Sequence, residues 1–152
     1  MNERVAEFDS KPRVILTEQA RPTRESVGRI NSHFRIILPE LLVALGQGAK
    51  NYSAIFASIG TDYGSAAHII RLNSYWRRRR RTRRIPAYLV IITQGFMDDQ
   101  FWCLNISRMG PGLDPYPVQF WCPVRLDYPS EERPALWYPS FEAFLDGLIN
   151  GR

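Results

Sequence analysis

The residue types that could do chemistry in this chain are few and scattered. His33 and His68 are the only histidines, and they lie far apart in the sequence. Histidine is the natural acid–base group near neutral pH, but neither one has an HExxH context or a metal-ligand spacing. Each sits beside an amphipathic face, which suits a helix boundary or a core position. Asp98 and Asp99 are adjacent in an expected turn, where carboxylates usually serve turn chemistry and solubility. Glu131 and Glu132 have no partner at a telling spacing. No GxSxG, Walker loop or GxGxxG occurs, and the "GPG" at 110–112 is a loop element. The expectation is a chain without catalytic residues, metal or cofactor.

One stretch does carry concentrated chemistry. Residues 77–84 read "RRRRRTRR", seven arginines in eight positions. Guanidinium groups bind carboxylates and phosphates, so the run points to an acidic partner, to nucleic acid, or to a solvated face neutralised by the chain's own carboxylates. The net charge of +5 comes from this run alone: without it, 13 basic residues face 15 acidic ones. At 100° per residue on the helix that precedes it, Arg77, Arg78, Arg81 and Arg84 fall toward solvent. Arg79, Arg80 and Arg83 continue the apolar stripe or its margin. Like charges at i,i+3 and i,i+4 each oppose a helix by a few tenths of a kcal/mol, so helix is expected to about Arg79 and a looser link from there to Pro86. The run is then part of a folded domain and not a tail. Tyr75 and Trp76 could stack bases, but their place on or beside the stripe favours core packing.

The surrounding elements are legible from hydrophobic period. Thr23 is a fitting N-cap, and Val27, Ile30, Phe34 and Ile37 form one helical face. Pro39 should interrupt that helix and start another, with Leu41, Leu42, Leu45 and Ala49 on one side and Gly46 and Gly48 marking its end. Ile69, Leu72 and Trp76 give a third helical stripe. After Pro86 the rhythm becomes strand-like: "YLVIIT" (88–93), apolar on both faces, reads as an interior strand. "FWCLNI" (101–106) and "PVQFWC" (117–122) follow, with "QGFMDD" as a turn that exposes Phe96, Asp98 and Asp99. Residues 123–136 are a polar excursion. Ser140 then caps a closing helix whose Phe141, Phe144, Leu145 and Leu148 pack on the sheet. The fold class is α+β: N-terminal helices, a central antiparallel β-meander and a C-terminal helix on the sheet. Residues 1–22 show no clear period: "RVILTE" (13–18) reads equally as a short strand or as part of a poorly ordered lead-in to a single domain over 23–149.

A chain of 152 residues suits one domain and can bury roughly two-thirds of its unfolded surface without disulfides or metal. No apolar run approaches the ~20 residues of a membrane span, and the N-terminus lacks the apolar core of a secretory signal. Cys103 and Cys122, both in "FWC" contexts, are then expected as reduced core thiols in a cytoplasmic protein without membrane contact.

The order of these pieces resembles the SUKH superfamily, which includes the fungal Smi/Knr-type cell-wall regulators and many bacterial immunity proteins. The carrying residues are Leu38-Pro39 after the first helix, Ile85-Pro86 before the central strand and Gly95 in the turn after it. They continue with Pro117 to Trp121 as a "PV-x-[FY]-W" strand and Ser140 to Leu145 as an "SFxxFL" helix. The resemblance covers about residues 23–149. It implies a non-enzymatic protein-binding domain, an antidote that binds and neutralises a toxin domain, with no catalytic residues to carry over. Gln94 and Asn105 stand where many members have an acidic residue, and the arginine run is no general hallmark. An antidote against a nuclease usually presents acidic surface that mimics nucleic acid, so a basic patch argues for a different contact surface or for a toxin with an acidic surface. The candidate partner-binding residues are Arg77, Arg78, Arg81, Arg84, Phe96, Asp98 and Asp99, and the alternative is nucleic-acid binding through the Arg77–Arg84 patch.

Overall fold

A computed structural model describes residues 3–10, 22–48, 69–80, 84–94, 100–107, 116–123 and 137–151. Its elements, in chain order, are α1 (Glu3–Asp9), α2 (Arg24–Phe34), α3 (Glu40–Gly48), α4 (Ile69–Arg77), β1 (Leu89–Gln94), β2 (Phe101–Asn105), β3 (Val118–Trp121), β4 (Trp137–Tyr138) and α5 (Phe141–Asn150). The four strands form one antiparallel meander in the order β1-β2-β3-β4. The fold is α+β.

Local chemistry sets the helix ends. The Thr23 hydroxyl accepts from the Ser26 N–H at 3.1 Å, and the Ser26 hydroxyl accepts from the Thr23 N–H at 2.8 Å, a reciprocal cap that starts α2. The helix stops at Phe34, well before Pro39. Arg35 takes a left-handed conformation (φ 56°, ψ 49°), and the Ile36 N–H returns to the Asn31 carbonyl at 3.0 Å. Beyond this turn the chain is extended, so Ile36 and Leu38 point inward and Ile37 points out, 75% exposed. Ile37 is therefore not on the helical face that its spacing suggested. The Asn31 amide oxygen and the Tyr116 hydroxyl accept the Leu38 and Ile37 N–H groups and fix this link. Helix α3 runs through Gly46 to Gly48, where a Cβ would stand 3.4 Å from the Val5 side chain. Ala49 lies outside the described residues.

The lead-in holds a helix that its sequence did not announce. Helix α1 buries Val5 and Phe8, three positions apart, in the main core. Arg4 ties it to α5 through Asp146 and also pairs with Glu7 at 3.0 Å. The hydrogen bond that Arg4 donates to the Asp146 carboxylate is the main reason that its guanidinium holds its proton above the ordinary arginine value. The short strand expected at 13–18 lies outside the described residues.

The sheet is buried on both faces. Val90, Ile92, Leu104 and Val118 join the main core with Ile30, Phe34, Leu42, Leu45, Ile69 and the α5 residues Phe141, Phe144 and Leu145. Leu89, Ile91, Phe101, Cys103 and Trp121 form a second cluster with Ile85, against which Leu72 and Trp76 of α4 pack. Ser140 caps α5 by accepting from the Ala143 N–H at 3.1 Å. Gly147 lets α5 close on β4: a Cβ there would lie 2.8 Å from the Tyr138 ring. Two strand expectations need correction. β4 is a short fourth strand directly after the polar excursion at 123–136, which the sequence did not announce. β1, which read as interior because both its faces are apolar, is an edge strand among the described residues. Burial on both faces comes from layers above and below a strand and says nothing of its lateral neighbours.

Candidate functional site

The site is built on α4, which lies along the free edge of β1. An open sheet edge presents unpaired N–H and carbonyl groups that must be covered. Asn73 covers them at Ile91. Its side chain is fully buried, its amide nitrogen donates to the Ile69 and Ile91 carbonyls at 2.8 and 3.0 Å, and its oxygen accepts the Ile91 N–H at 2.7 Å. One turn further on, Arg77 does the same for the start of the strand. Its Nη2 donates to the Leu89 carbonyl at 3.2 Å and reaches the Ala87 carbonyl at 3.4 Å, and its guanidinium lies 5.1 Å from the centre of the Phe34 ring. Burial pushes the Arg77 pKa down from its ordinary value, though an arginine remains charged.

Arg77 was expected to face solvent and does not. Its angle takes it off the apolar stripe, but it takes it toward the strand edge, whose carbonyls hold it. Asn73 and Arg77 are spaced i,i+4, so one helix face carries both. That spacing was the available signal.

From Arg78 onward the run is presented outward. Helix α4 ends at Arg77, two residues short of the expected end, and Arg78, Arg79, Arg80 and Arg84 are exposed. Cations beyond a helix C-terminus meet its negative end. The base of the run is tied: the Ile85 N–H donates to the Trp76 carbonyl at 3.3 Å, and Arg84 Nε donates to the Arg79 carbonyl at 3.3 Å. Trp76 packs edge-on to Phe101 and Trp121 at 5.4 and 5.5 Å between ring centres, which anchors the end of the helix from below. Arg79 does not follow the apolar stripe. Its guanidinium stacks on Tyr75, 3.7 Å from the ring centre. Tyr75 itself is 50% exposed, so core packing holds for Trp76 and not for its neighbour.

Ile70, Arg71, Ser74, Tyr75, Arg78 and Arg79 line an open groove of about 410 Å³ along this outer face. Three of the six are arginines and none is acidic. Among the described residues, Arg71, Arg78, Arg79, Arg80 and Arg84 form no ion pair with a carboxylate. Arg71 was missed in the sequence, although its spacing of i,i+7 to Arg78 places both on one side of the helix. Arg81, Phe96, Asp98, Asp99 and His68 lie outside the described residues, as does Gly95.

The remaining chemical groups lead elsewhere. His33 is exposed and meets Phe34 edge-on at 4.7 Å. Cys103 and Cys122 are buried free thiols, and burial raises the Cys103 pKa well above its ordinary value. Among the described residues no group of three or more His, Cys, Asp or Glu side chains is placed to hold a metal ion. No described helix is long and apolar enough to cross a membrane.

No protein-family model matches the chain, and no curated protein matches it in sequence. Among solved structures, the fold is similar to that of a protein from Pseudomonas syringae pv. tomato, with a TM-score of 0.64 at 12% identity. The likeness covers 97% of this chain and 98% of that one. At so low an identity it speaks for the architecture alone.

Proposed function

We propose that this chain is a non-enzymatic protein-binding domain of the SUKH type, an immunity protein that binds and neutralises a toxin domain in the cytoplasm. The observation that carries the reading is the arginine-rich outer face of α4 and the turn after it, whose cations meet no carboxylate among the described residues. It is mounted on a helix whose other face is locked to the sheet, so the charges stand on a rigid support. A rigid charged surface steers an oppositely charged partner into register and speeds association. The order of motifs from Leu38-Pro39 to the "SFxxFL" helix supports the immunity branch of the reading. Steric occlusion of a partner's active site needs no catalytic group of its own.

Binding of nucleic acid by the whole run draws less support. Arg77 is committed to the β1 edge, and one face of Tyr75 already carries Arg79, which leaves fewer phosphate contacts and a poorer stacking platform than the sequence suggested. The test is affinity capture of the tagged full chain from nuclease-treated host lysate at moderate salt. One stoichiometric partner with an enzymatic toxin domain, whose activity the chain then inhibits in a purified assay, is the expected result. Recovery of ribosomal and nucleoid proteins alone, all released by raised salt, overturns it.

A further inference from the structure

The groove on α4 has more definition than a basic patch. Arg71 on α4 and Arg78 in the turn that directly follows it are seven residues apart, and the Arg78 N–H still donates to the Ser74 carbonyl, so the two stand about 10 Å apart along the helix axis. Ser74 and Tyr75 lie between them and Ile70 just before Arg71, so the floor of the groove is partly apolar. Arg79 is held over the Tyr75 ring, 3.7 Å from its centre, which restrains its guanidinium, a group able to meet a bidentate acceptor. Stacking of this kind removes part of the rotamer entropy that a free arginine would lose on binding.

We propose that this groove is the docking site for an acidic segment of a protein partner. Carboxylates about 10 Å apart on that segment pair with Arg71 and with Arg78 and Arg79, and an apolar side chain between them seats against Tyr75. On a helical segment that spacing means acidic residues seven apart with a leucine-like residue midway; on an extended one it means three apart. The apolar floor separates this partner from a phosphodiester strand. A strand would bring a base to stack, and one face of Tyr75 already carries Arg79, which leaves the ring a smaller platform than a base needs between two partners. The inference rests on the protein-binding reading given above and deepens it.

The test uses the full chain and a fluorescein-labelled helical peptide carrying glutamates seven positions apart with leucine midway. Its comparison is an oligothymidylate of matched charge. Arg78→Glu with Arg79→Glu is set against Arg24→Glu with Arg29→Glu, two exposed arginines of α2 that give the same change in net charge. The expected result is peptide binding that the first double variant weakens roughly tenfold or more and the second leaves nearly unchanged. Replacing the peptide's leucine by serine should weaken binding further, at every salt concentration. Equal losses in the two double variants, or no peptide binding at low salt, overturn the groove while leaving the protein-binding reading to the capture experiment. Tighter binding of the oligothymidylate, lost with Arg78→Glu and Arg79→Glu, overturns both. All four substituted side chains are exposed, and thermal unfolding of each variant establishes that it is folded.

Discussion

Arg77 and Arg78 are neighbours in a run of identical residues, yet they belong to different parts of the molecule. Arg77 is half-buried, stacked near Phe34 and bonded to strand carbonyls; Arg78 is exposed on a turn and lines an open groove. One face of α4 is thus an anchor and the other a presenting surface. The anchor is polar where an interior contact would ordinarily be apolar, because it meets a strand edge and has backbone groups to satisfy. The presenting side carries cations that meet no carboxylate among the described residues, at some electrostatic cost, and the proposed binding role would use them. If that division is right, substitutions on the two faces should separate cleanly into losses of stability and losses of binding.

The largest expected effect is at Asn73. Asn73→Ala leaves the Ile91 N–H and carbonyl buried without partners, and should cost about 2–4 kcal/mol. Asn73→Leu, which fills the space but satisfies neither group, should be no better. Chemical denaturation of both variants checks this: a loss well under 1 kcal/mol for either would mean that α4 is not what seals the sheet. A second consequence is an exposed β1 edge, and the same variants should associate at high concentration in light scattering.

Arg77 gives a smaller and sharper comparison. Arg77→Ala removes two hydrogen bonds to strand carbonyls and the packing of its stem, about 1–2 kcal/mol together. Arg78→Ala should stay within about 0.5 kcal/mol of the parent. Arg77→Lys keeps the charge but not the fork, and should recover only part of the loss. Equal stability losses for the two neighbours would erase the distinction between anchor and surface.

The same contrast shows what the sequence made legible. The helices that begin at Thr23 and Ser140 and the strands at 89–94, 101–105 and 118–121 follow from caps and from period-2 or period-3.6 patterns, which are local. What failed was lateral or long-range. The edge position of β1 depends on which strand lies beside it, and the pattern of apolar residues reports only the layers above and below. The end of α2 depends on Arg35 in a left-handed turn that costs an L-residue roughly 1 kcal/mol and leaves no signature comparable to glycine. Helix α1 has only Val5 and Phe8 to announce it. In the site, helical angle alone sorted the arginines, and it gave Arg78 correctly. It missed Arg77 because solvent and a strand edge both lie off the apolar stripe, and it missed Arg71 because the run itself drew the reading.

A stabilising change follows from the α2 turn and bears on the comparison from outside α4. Arg35→Gly should raise stability by about 1 kcal/mol, since glycine takes the left-handed conformation without the Cβ penalty. Arg35 is exposed and is not among the groove-lining residues. Peptide binding should therefore be unaffected while the melting temperature rises. A loss of binding in this variant would extend the docking surface to the α2–α3 link.

The smallest expected effect uses pH to pull the two faces apart. Cys103 lies in the cluster under Trp76, and burial holds its thiol protonated well above the ordinary range. Its pKa is raised in the folded state, so its contribution to stability is intact below the unfolded value of about 8.5 and is lost as pH rises from there toward the folded value. Stability should therefore decline between neutral pH and pH 10 more steeply in the parent than in Cys103→Ala, which starts lower by the methyl-sized cavity but lacks this titration. Guanidinium groups in general keep their charge over that range. While the protein remains folded, the groove's affinity for a carboxylate peptide should stay flat as the core beneath it weakens. Parallel stability slopes for parent and Cys103→Ala would show that the thiol is not sequestered, and that the cluster beneath α4 opens to solvent without global unfolding.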